Sequence, residues 1–251
     1  MRIGVSTLAL SPLSLGEMLT WIEDAGADCC EIIYEYPLDD VEVADSFSLD
    51  FTVHAPISDI NIASLNRGIR EASIAEVKSA VDLAVELDSE VVVVHPGSVP
   101  FLGRPHSDLI VQRNLESLSV ISEYAEDRGA GIYPENMPRL EGPLLRELED
   151  LWRVAEELEI QVTLDAAHAA TMGYSEGEMV SPRVGHVHLS DNNGEVDSHD
   201  ALGDGSLDFR AIIEGLRGIG YRGILTVEVK TPGEVERSIE FLRRLLISNH
   251  V

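Results

Sequence analysis

Nine side chains in this 251-residue chain have the types and spacing to hold divalent cations: five histidines, two aspartates and two glutamates. Six of them, His54, His95, Glu135, Asp165, His188 and Glu228, each follow a short, largely apolar run. The other three, His168, Asp197 and His199, come from Asp165-Ala-Ala-His168 and Asp197-Ser-His199, which put a carboxylate and an imidazole close together. A catalytic ion needs three or four protein ligands and an open position, so nine groups can supply two or three ions with bridging carboxylates. The mixed nitrogen and oxygen set suits Zn²⁺, Mn²⁺ or Co²⁺ better than Ca²⁺.

Taken singly, each residue has a plainer explanation. A lone histidine such as His54 is usually a hydrogen-bonded core residue, Glu135 can be a solvated strand end, and the acidic stretch Asp191 to Asp208 can be a soluble loop. Jointly these explanations fail, because nine chargeable groups converging on one cavity repel each other or stay unpaired unless cations hold them. His106 and His250 stand outside the set. His186, two residues before His188 and so on the same strand face, is expected to support a ligand from behind or to sit in the core.

The elements that must position these groups follow from the hydrophobic pattern. After a first strand in the opening run Met1 to Leu10, the spacing of Leu15, Met18, Leu19 and Ile22 predicts a helix from Leu13 to Ala25, ended by Gly26. Cys29 to Tyr34 reads as a strand, Asp39 to Ser46 as a weak helix or loop, and Phe51 to His54 as the third strand. The same alternation predicts strands at Val91 to His95, Gly131 to Glu135, Gln161 to Asp165, Val184 to Leu189 and Gly223 to Val229. Helices are predicted near Asn66 to Leu87, Ser107 to Asp127, Gly142 to Leu158, Ser175 to Val180, Asp208 to Gly218 and Glu234 to Ile247.

Eight strand-then-helix units with no linker fit one α/β domain over residues 1–251, a (β/α)₈ TIM barrel. A doubly wound sheet would need a Gly-rich phosphate turn after the first strand, which Ser6-Thr7-Leu8 does not provide. In a barrel the chemistry sits at the C-terminal ends of the strands, where the six ligand types fall. Strand alternation agrees: Val53, Leu164, Val187 and Val227 face outward, which turns His54, Asp165, His188 and Glu228 into the mouth.

Composition removes several function classes. The formal charge is −27, lysine occurs only at Lys78 and Lys230, and no basic run could grip a polyanion, so nucleic-acid and anionic-membrane binding are disfavoured. We read the acidity as solubility or adaptation to high internal salt, not as a signal for a specific cationic partner. The adjacent Cys29 and Cys30 offer neither a disulfide framework nor spaced thiols for structural zinc, which points to a reducing, cytoplasmic setting. No apolar run reaches membrane-spanning length, and the first ten residues make a poor signal peptide.

The segments Val53-His54-Ala55-Pro56, Val94-His95-Pro96-Gly97-Ser98, Pro134-Glu135-Asn136, Asp165-Ala166-Ala167-His168 and His188-Leu189-Ser190-Asp191 resemble the xylose-isomerase-like barrels, a superfamily that includes endonuclease IV, the apurinic-site endonuclease. Asp197-Ser198-His199, Leu202-Gly203-Asp204-Gly205 and Thr226-Val227-Glu228 complete the likeness, which covers essentially the whole chain. For the sugar isomerases and epimerases, the resemblance implies one metal held by Glu135, Asp165, His188 and Glu228, with His168 facing the substrate. For endonuclease IV it implies a trinuclear zinc cluster on all nine positions. The DNA-cleaving relatives are expected to have longer mouth loops with basic and aromatic residues. Here the rim reads Leu38-Asp39-Asp40-Val41-Glu42 and Asp191 to Asp208, with scattered Arg104, Arg139 and Arg183.

The expected activity is therefore a divalent-metal-dependent isomerase or epimerase of a small sugar, sugar phosphate or polyol, with Glu135 and Glu228 moving the proton beside a carbonyl and His168 at the substrate. An endonuclease IV-like phosphodiesterase is the second reading, and a barrel that binds metal or sugar without turnover is the third. Lys230, on the face of Glu228, could assist an oxyanion or be a solvated strand tip. Gly203 and Gly205 could admit a substrate phosphate to backbone N–H groups or form a bare turn.

Overall fold

The computed structural model describes residues 1–36, 38 and 40–247, so Asp39 and His250 lie outside the described residues. Eight parallel strands form one sheet: β1 (Arg2–Ser6), β2 (Cys29–Ile33), β3 (Asp50–His54), β4 (Val91–Val94), β5 (Gly131–Pro134), β6 (Val162–Asp165), β7 (Val184–Leu189) and β8 (Ile224–Val227). Their order, β5-β4-β3-β2-β1-β8-β7-β6, brings the last neighbours β5 and β6 together. That seam closes on a single parallel bridge between Glu135 and Thr163, backed by the Thr163 hydroxyl donating to the Tyr133 carbonyl at 3.2 Å. The architecture is a nearly closed (β/α)₈ barrel, as the alternation of elements predicts.

Helices α1 (Leu15–Asp24), α2 (Arg67–Glu86), α3 (Ser107–Glu126), α4 (Leu148–Glu157), α5 (Ala166–Met172), α6 (Glu176–Met179), α7 (Phe209–Gly218) and α8 (Pro232–Ile247) follow the strands. Their starts have local causes. Ser14 and Glu17 form a capping box on α1, the Asn66 side chain accepts the Gly68 N–H at the start of α2, and Asp208 accepts two N–H groups of α7. Each longer helix buries one stripe, as Val77, Ala80, Val81 and Ala84 of α2 show, against outward strand residues such as Val53, Val92, Ile132, Leu164, Val187 and Val227. Every one of those strand valines, isoleucines and leucines is buried, so the outer layer holds the main hydrophobic core and the barrel interior is left for polar groups.

Where a weak helix or loop is expected after the second strand, a 3-10 segment, Val41–Ser46, is found. Two expectations need correction. The helix expected from Gly142 begins only at Leu148, because Gly142 and Leu145 take left-handed backbone with φ of 114° and 52°. Residues 142–145 instead turn through bends pinned to the loops after β4 and β5, where the Gly97 carbonyl accepts the Leu144 N–H and the Leu145 carbonyl accepts the Met137 N–H. Finally, α5 has no counterpart among the predicted helices: Asp165 caps it, with its Oδ1 accepting the His168 N–H at 2.7 Å, and Gly173 ends it at φ 91°. Among the described residues no helix is long and apolar enough to cross a membrane.

Candidate metal centre

All nine candidate ligands lie at the C-terminal mouth, in three groups whose potential ligand atoms stand within 4.8 Å of one another. The central group is Glu135, Asp165, His188 and Glu228, all buried. Nδ1 of His188 lies 3.1 Å from Glu135 Oε1 and 3.2 Å from Glu228 Oε2, so one imidazole nitrogen stands between two carboxylates from opposite sides of the mouth. Asp165 uses Oδ1 to cap α5 and leaves Oδ2 without a hydrogen-bond partner.

Glu135 also anchors a second group. Nε2 of His54 and of His95 lie 3.5 and 3.1 Å from its Oε2, yet that oxygen, buried, makes no hydrogen bond. The His54 ring is turned by Nδ1, which pairs with the Ala55 carbonyl at 2.7 Å. His168, Asp197 and His199 form the third group, with Asp197 Oδ2 3.1 Å from Nε2 of each histidine and Oδ1 unpartnered. The other nitrogens of these two rings are fixed by backbone: His168 Nδ1 on the Asn136 carbonyl at 2.8 Å and His199 Nδ1 on the Glu228 carbonyl at 2.9 Å. In His54, His168 and His199 a carbonyl thus accepts from Nδ1 and leaves Nε2 with its lone pair toward the carboxylates, the orientation that a metal ligand requires.

Burial and mutual charge set the protonation of these groups when protons alone fill the site. Burial opposes a charge on His188, but Glu31, Glu135 and Glu228 override it and hold the ring well above the ordinary histidine range. Burial raises Glu135 and Glu228 in the same way, and His188 more than reverses it, so both are lowered. Asp165 is pushed up to about 6, mainly by burial and despite His168. Against burial, the surrounding carboxylates raise His168 to about 10 and His199 to about 9, while those two histidines lower Asp197. His95 is lowered by burial. Buried carboxylate oxygens lacking partners on Glu135, Asp165 and Asp197, beside imidazole nitrogens, are a donor set able to hold a divalent ion.

Other sequence expectations settle differently. His186 sits one layer below His188 on the same face, 5.2 Å between ring centroids, as expected. Lys230 faces Asp200, with Nζ 3.6 Å from Oδ1, and its side chain is half exposed. The N–H groups of Gly203 and Gly205 both donate to Oδ2 of Asp191 at 2.9 Å, so they are not available to a substrate phosphate. Burial pushes the Cys29 thiol up to about 12 and Cys30 well up, which leaves neither as a thiolate nucleophile.

Two residues around these groups have roles that sequence reading misses. Glu31, fully buried in β2, forms a further potential metal group with His186 and His188 beneath the central one. A lone acid inside the apolar run Cys29 to Ile33 is the available signal. Asn136, adjacent to Glu135, ties the β5 and β6 strand ends together. An asparagine in a loop carries no comparable signal.

Residues 19–245 match the family model of the xylose isomerase-like TIM barrels. An uncharacterized protein of Methanocaldococcus jannaschii is 36% identical over 98% of this chain and 89% of its own length. A crystal structure of a D-tagatose 3-epimerase-like protein superposes with a TM-score of 0.90 and 34% identity, covering 98% of this chain and 97% of the other. A probable endonuclease 4 of Mycobacterium leprae is 27% identical over 88% of this chain and 90% of its own length.

Proposed function

The chain belongs to the xylose isomerase-like TIM barrel family, and from that premise we propose that it is a divalent-metal-dependent epimerase or isomerase of a small sugar. The observation that carries this reading is the buried quartet of Glu135, Asp165, His188 and Glu228, in which two glutamates flank one imidazole nitrogen. The likeness to a D-tagatose 3-epimerase-like protein across nearly the full chain supports it.

Glu135, Asp165, His188 and Glu228 would hold the ion, of which Zn²⁺ and Mn²⁺ are the best matches to a set of three carboxylates and one imidazole. When bound, such an ion polarises a substrate carbonyl and steadies the charge of an ene-diolate. Glu135 and Glu228, on either side of His188 Nδ1, would share the proton transfer: one, as carboxylate, takes the proton beside that carbonyl, and either the same group returns it to the neighbouring carbon or the other, in its acid form, delivers its own proton to the opposite face. His188 lowers both glutamates, so either is available as the base. His168, held at Nδ1 by the Asn136 carbonyl, would hydrogen-bond a substrate hydroxyl through Nε2 in exchange for Asp197.

The experiment is an incubation of ketoses and their phosphates with the protein in deuterated water. We expect metal-dependent exchange of the proton beside the carbonyl, abolished by chelator. No exchange across a broad panel of sugars, with or without added ions, would overturn the assignment.

One observation favours a second reading, an endonuclease IV-like metal phosphodiesterase: the groups around His54 with His95 and around Asp197 with His199 are more than one ion needs. Against it stands the acidic rim, which repels a polyanion. Abasic duplex DNA, assayed from low to molar salt, separates the two: incision at any salt without proton exchange on sugars supports the phosphodiesterase.

A further inference from the structure

Beneath the quartet, Glu31 projects from the middle of β2 into the closed interior, where its side chain is wholly inaccessible. One of its oxygens is fully engaged. Oε2 accepts the Thr52 hydroxyl at 3.0 Å and lies 2.8 Å from His186 Nε2, and the Thr226 hydroxyl reaches the same nitrogen at 3.2 Å. Thr52 is the register partner of Glu31 on β3, so two adjacent strands fix the carboxylate plane.

The other oxygen is left over. Oε1 stands 2.8 Å from His188 Nε2, close enough for a charge-assisted hydrogen bond, yet neither atom has a hydrogen-bond partner because the ring edge is out of line. A buried carboxylate oxygen and a buried imidazole nitrogen facing each other unpaired are each costly, and a small turn of the His188 ring would satisfy both. What holds the ring off that line is its other nitrogen, which is shared between Glu135 and Glu228. A neutral imidazole has one N–H and one lone pair. Where Nδ1 gives its lone pair to a cation, the N–H falls on Nε2, and Glu31 is the acceptor in reach.

We propose that Glu31 is a positioning residue for the metal centre: it accepts the Nε2–H of His188, fixes the tautomer with the Nδ1 lone pair at the mouth, and increases the basicity of that nitrogen. Thr52 and His186 hold the carboxylate for this task. Such outer carboxylates set ring orientation and ligand strength at histidine–metal sites in general. The inference rests on the quartet binding a divalent ion, and a Co²⁺ titration separates its failure from the failure of that reading.

Full-length protein stripped with chelator is titrated with Co²⁺, reading both affinity and the visible absorption of the saturated protein, for the unaltered chain, Glu31→Gln and Thr52→Val. The unfolding of each metal-free variant is recorded in parallel. Glu31→Gln keeps the volume and removes the charge, and should weaken the tightest Co²⁺ site by about 10- to 100-fold with a shifted visible band. Thr52→Val, which only frees the carboxylate plane, should weaken it by a smaller factor, roughly threefold or more. A merely structural Glu31 would alter metal-free unfolding and leave the band of the saturated protein unmoved. Folded Glu31→Gln with affinity within about twofold of the unaltered chain and the same band overturns the proposal. If Glu31→Gln does not fold, Thr52→Val decides by the same two readouts. An unaltered chain that binds no Co²⁺ overturns the quartet reading and this inference together, whereas binding that is indifferent to both substitutions overturns this inference alone.

Discussion

The side-chain amide of Asn136 and the backbone of Asp165 exchange two hydrogen bonds of 2.8 Å, Nδ2 donating to the Asp165 carbonyl and Oδ1 accepting the Asp165 N–H. They lie across the one seam of the barrel where the backbone ladder is reduced to a single bridge. The amide therefore replaces a missing ladder rung, and it fixes the Asp165 carboxylate against the neighbouring Glu135. Asn136→Ala removes both bonds and takes this acceptor from the buried Asp165 N–H, and should cost roughly 1–3 kcal/mol in chemical denaturation of the metal-free protein. A loss under about 0.5 kcal/mol would show that the seam closes without it.

Glu228→Gln removes a charge and keeps the volume of a side chain that stands 3.2 Å from His188 Nδ1. Turnover should fall by about a hundredfold or more, in line with the loss of an acid–base group, while soluble yield and circular dichroism stay as in the unaltered chain. Insoluble protein in place of inactive protein would assign Glu228 a structural role.

His54 and His95 share Glu135 Oε2, and His168 and His199 share Asp197 Oδ2. Elemental analysis after equilibration with excess Zn²⁺ should therefore find more than one ion per chain, and His95→Ala should lower the content by one. A content fixed at one ion, unchanged in His95→Ala, returns these residues to hydrogen-bonding roles around a single ion.

Metal-free protein should lose stability as pH rises from near neutral to about 10. His168 and His199, raised from 6.5 to about 10 and about 9, bind more protons folded than unfolded across that interval, so their contribution is complete below 6.5 and is lost above it. Asp197 is lowered, and its contribution is present above its ordinary 3.8 and lost as pH falls further. Asp165, raised to about 6, works against folding once pH passes its ordinary 3.8, so the net optimum of the metal-free chain is mildly acidic. Divalent ions compete with these same protons, so the Tm difference between Mn²⁺ and chelator should widen from pH 6 to 9. A difference that narrows or stays flat would contradict a site built on these histidines.

How much of the fold and the site is legible in the sequence depends on whether a residue's signal is periodic. His54, Asp165, His188 and Glu228 end alternating strands, and the period of two alone gives the direction in which they point. Glu31 obeys the same alternation but sits mid-strand, and only the topology that sets β2 opposite β7 across the interior shows what it meets. The misjudged start of α4 has the opposite cause. Leu144, Leu145 and Leu148 have helical spacing, but hydrogen bonds to Gly97 and Met137 hold residues 144 and 145 out of the helix, a tertiary demand that spacing does not carry. Likewise Gly203 and Gly205 look like an anion-binding turn until Asp191 is found occupying their N–H groups.

That occupation by Asp191 reaches beyond the glycines. Its carboxylate also accepts the Asn192 and Leu207 N–H groups, and its backbone pairs with Asp200 in a two-residue antiparallel bridge. The loop from 191 to 207 is thus knotted at its base by one buried side chain, while Asp197 and His199 ride on the part enclosed by the bridge. The quartet thus belongs to the strand ends and the Asp197–His199 pair to a closed loop above them, joined through the His199 contact to the Glu228 carbonyl and the Asp197 contact to His168, so a disturbance of residues 192–199 reaches the outer pair before it reaches the quartet.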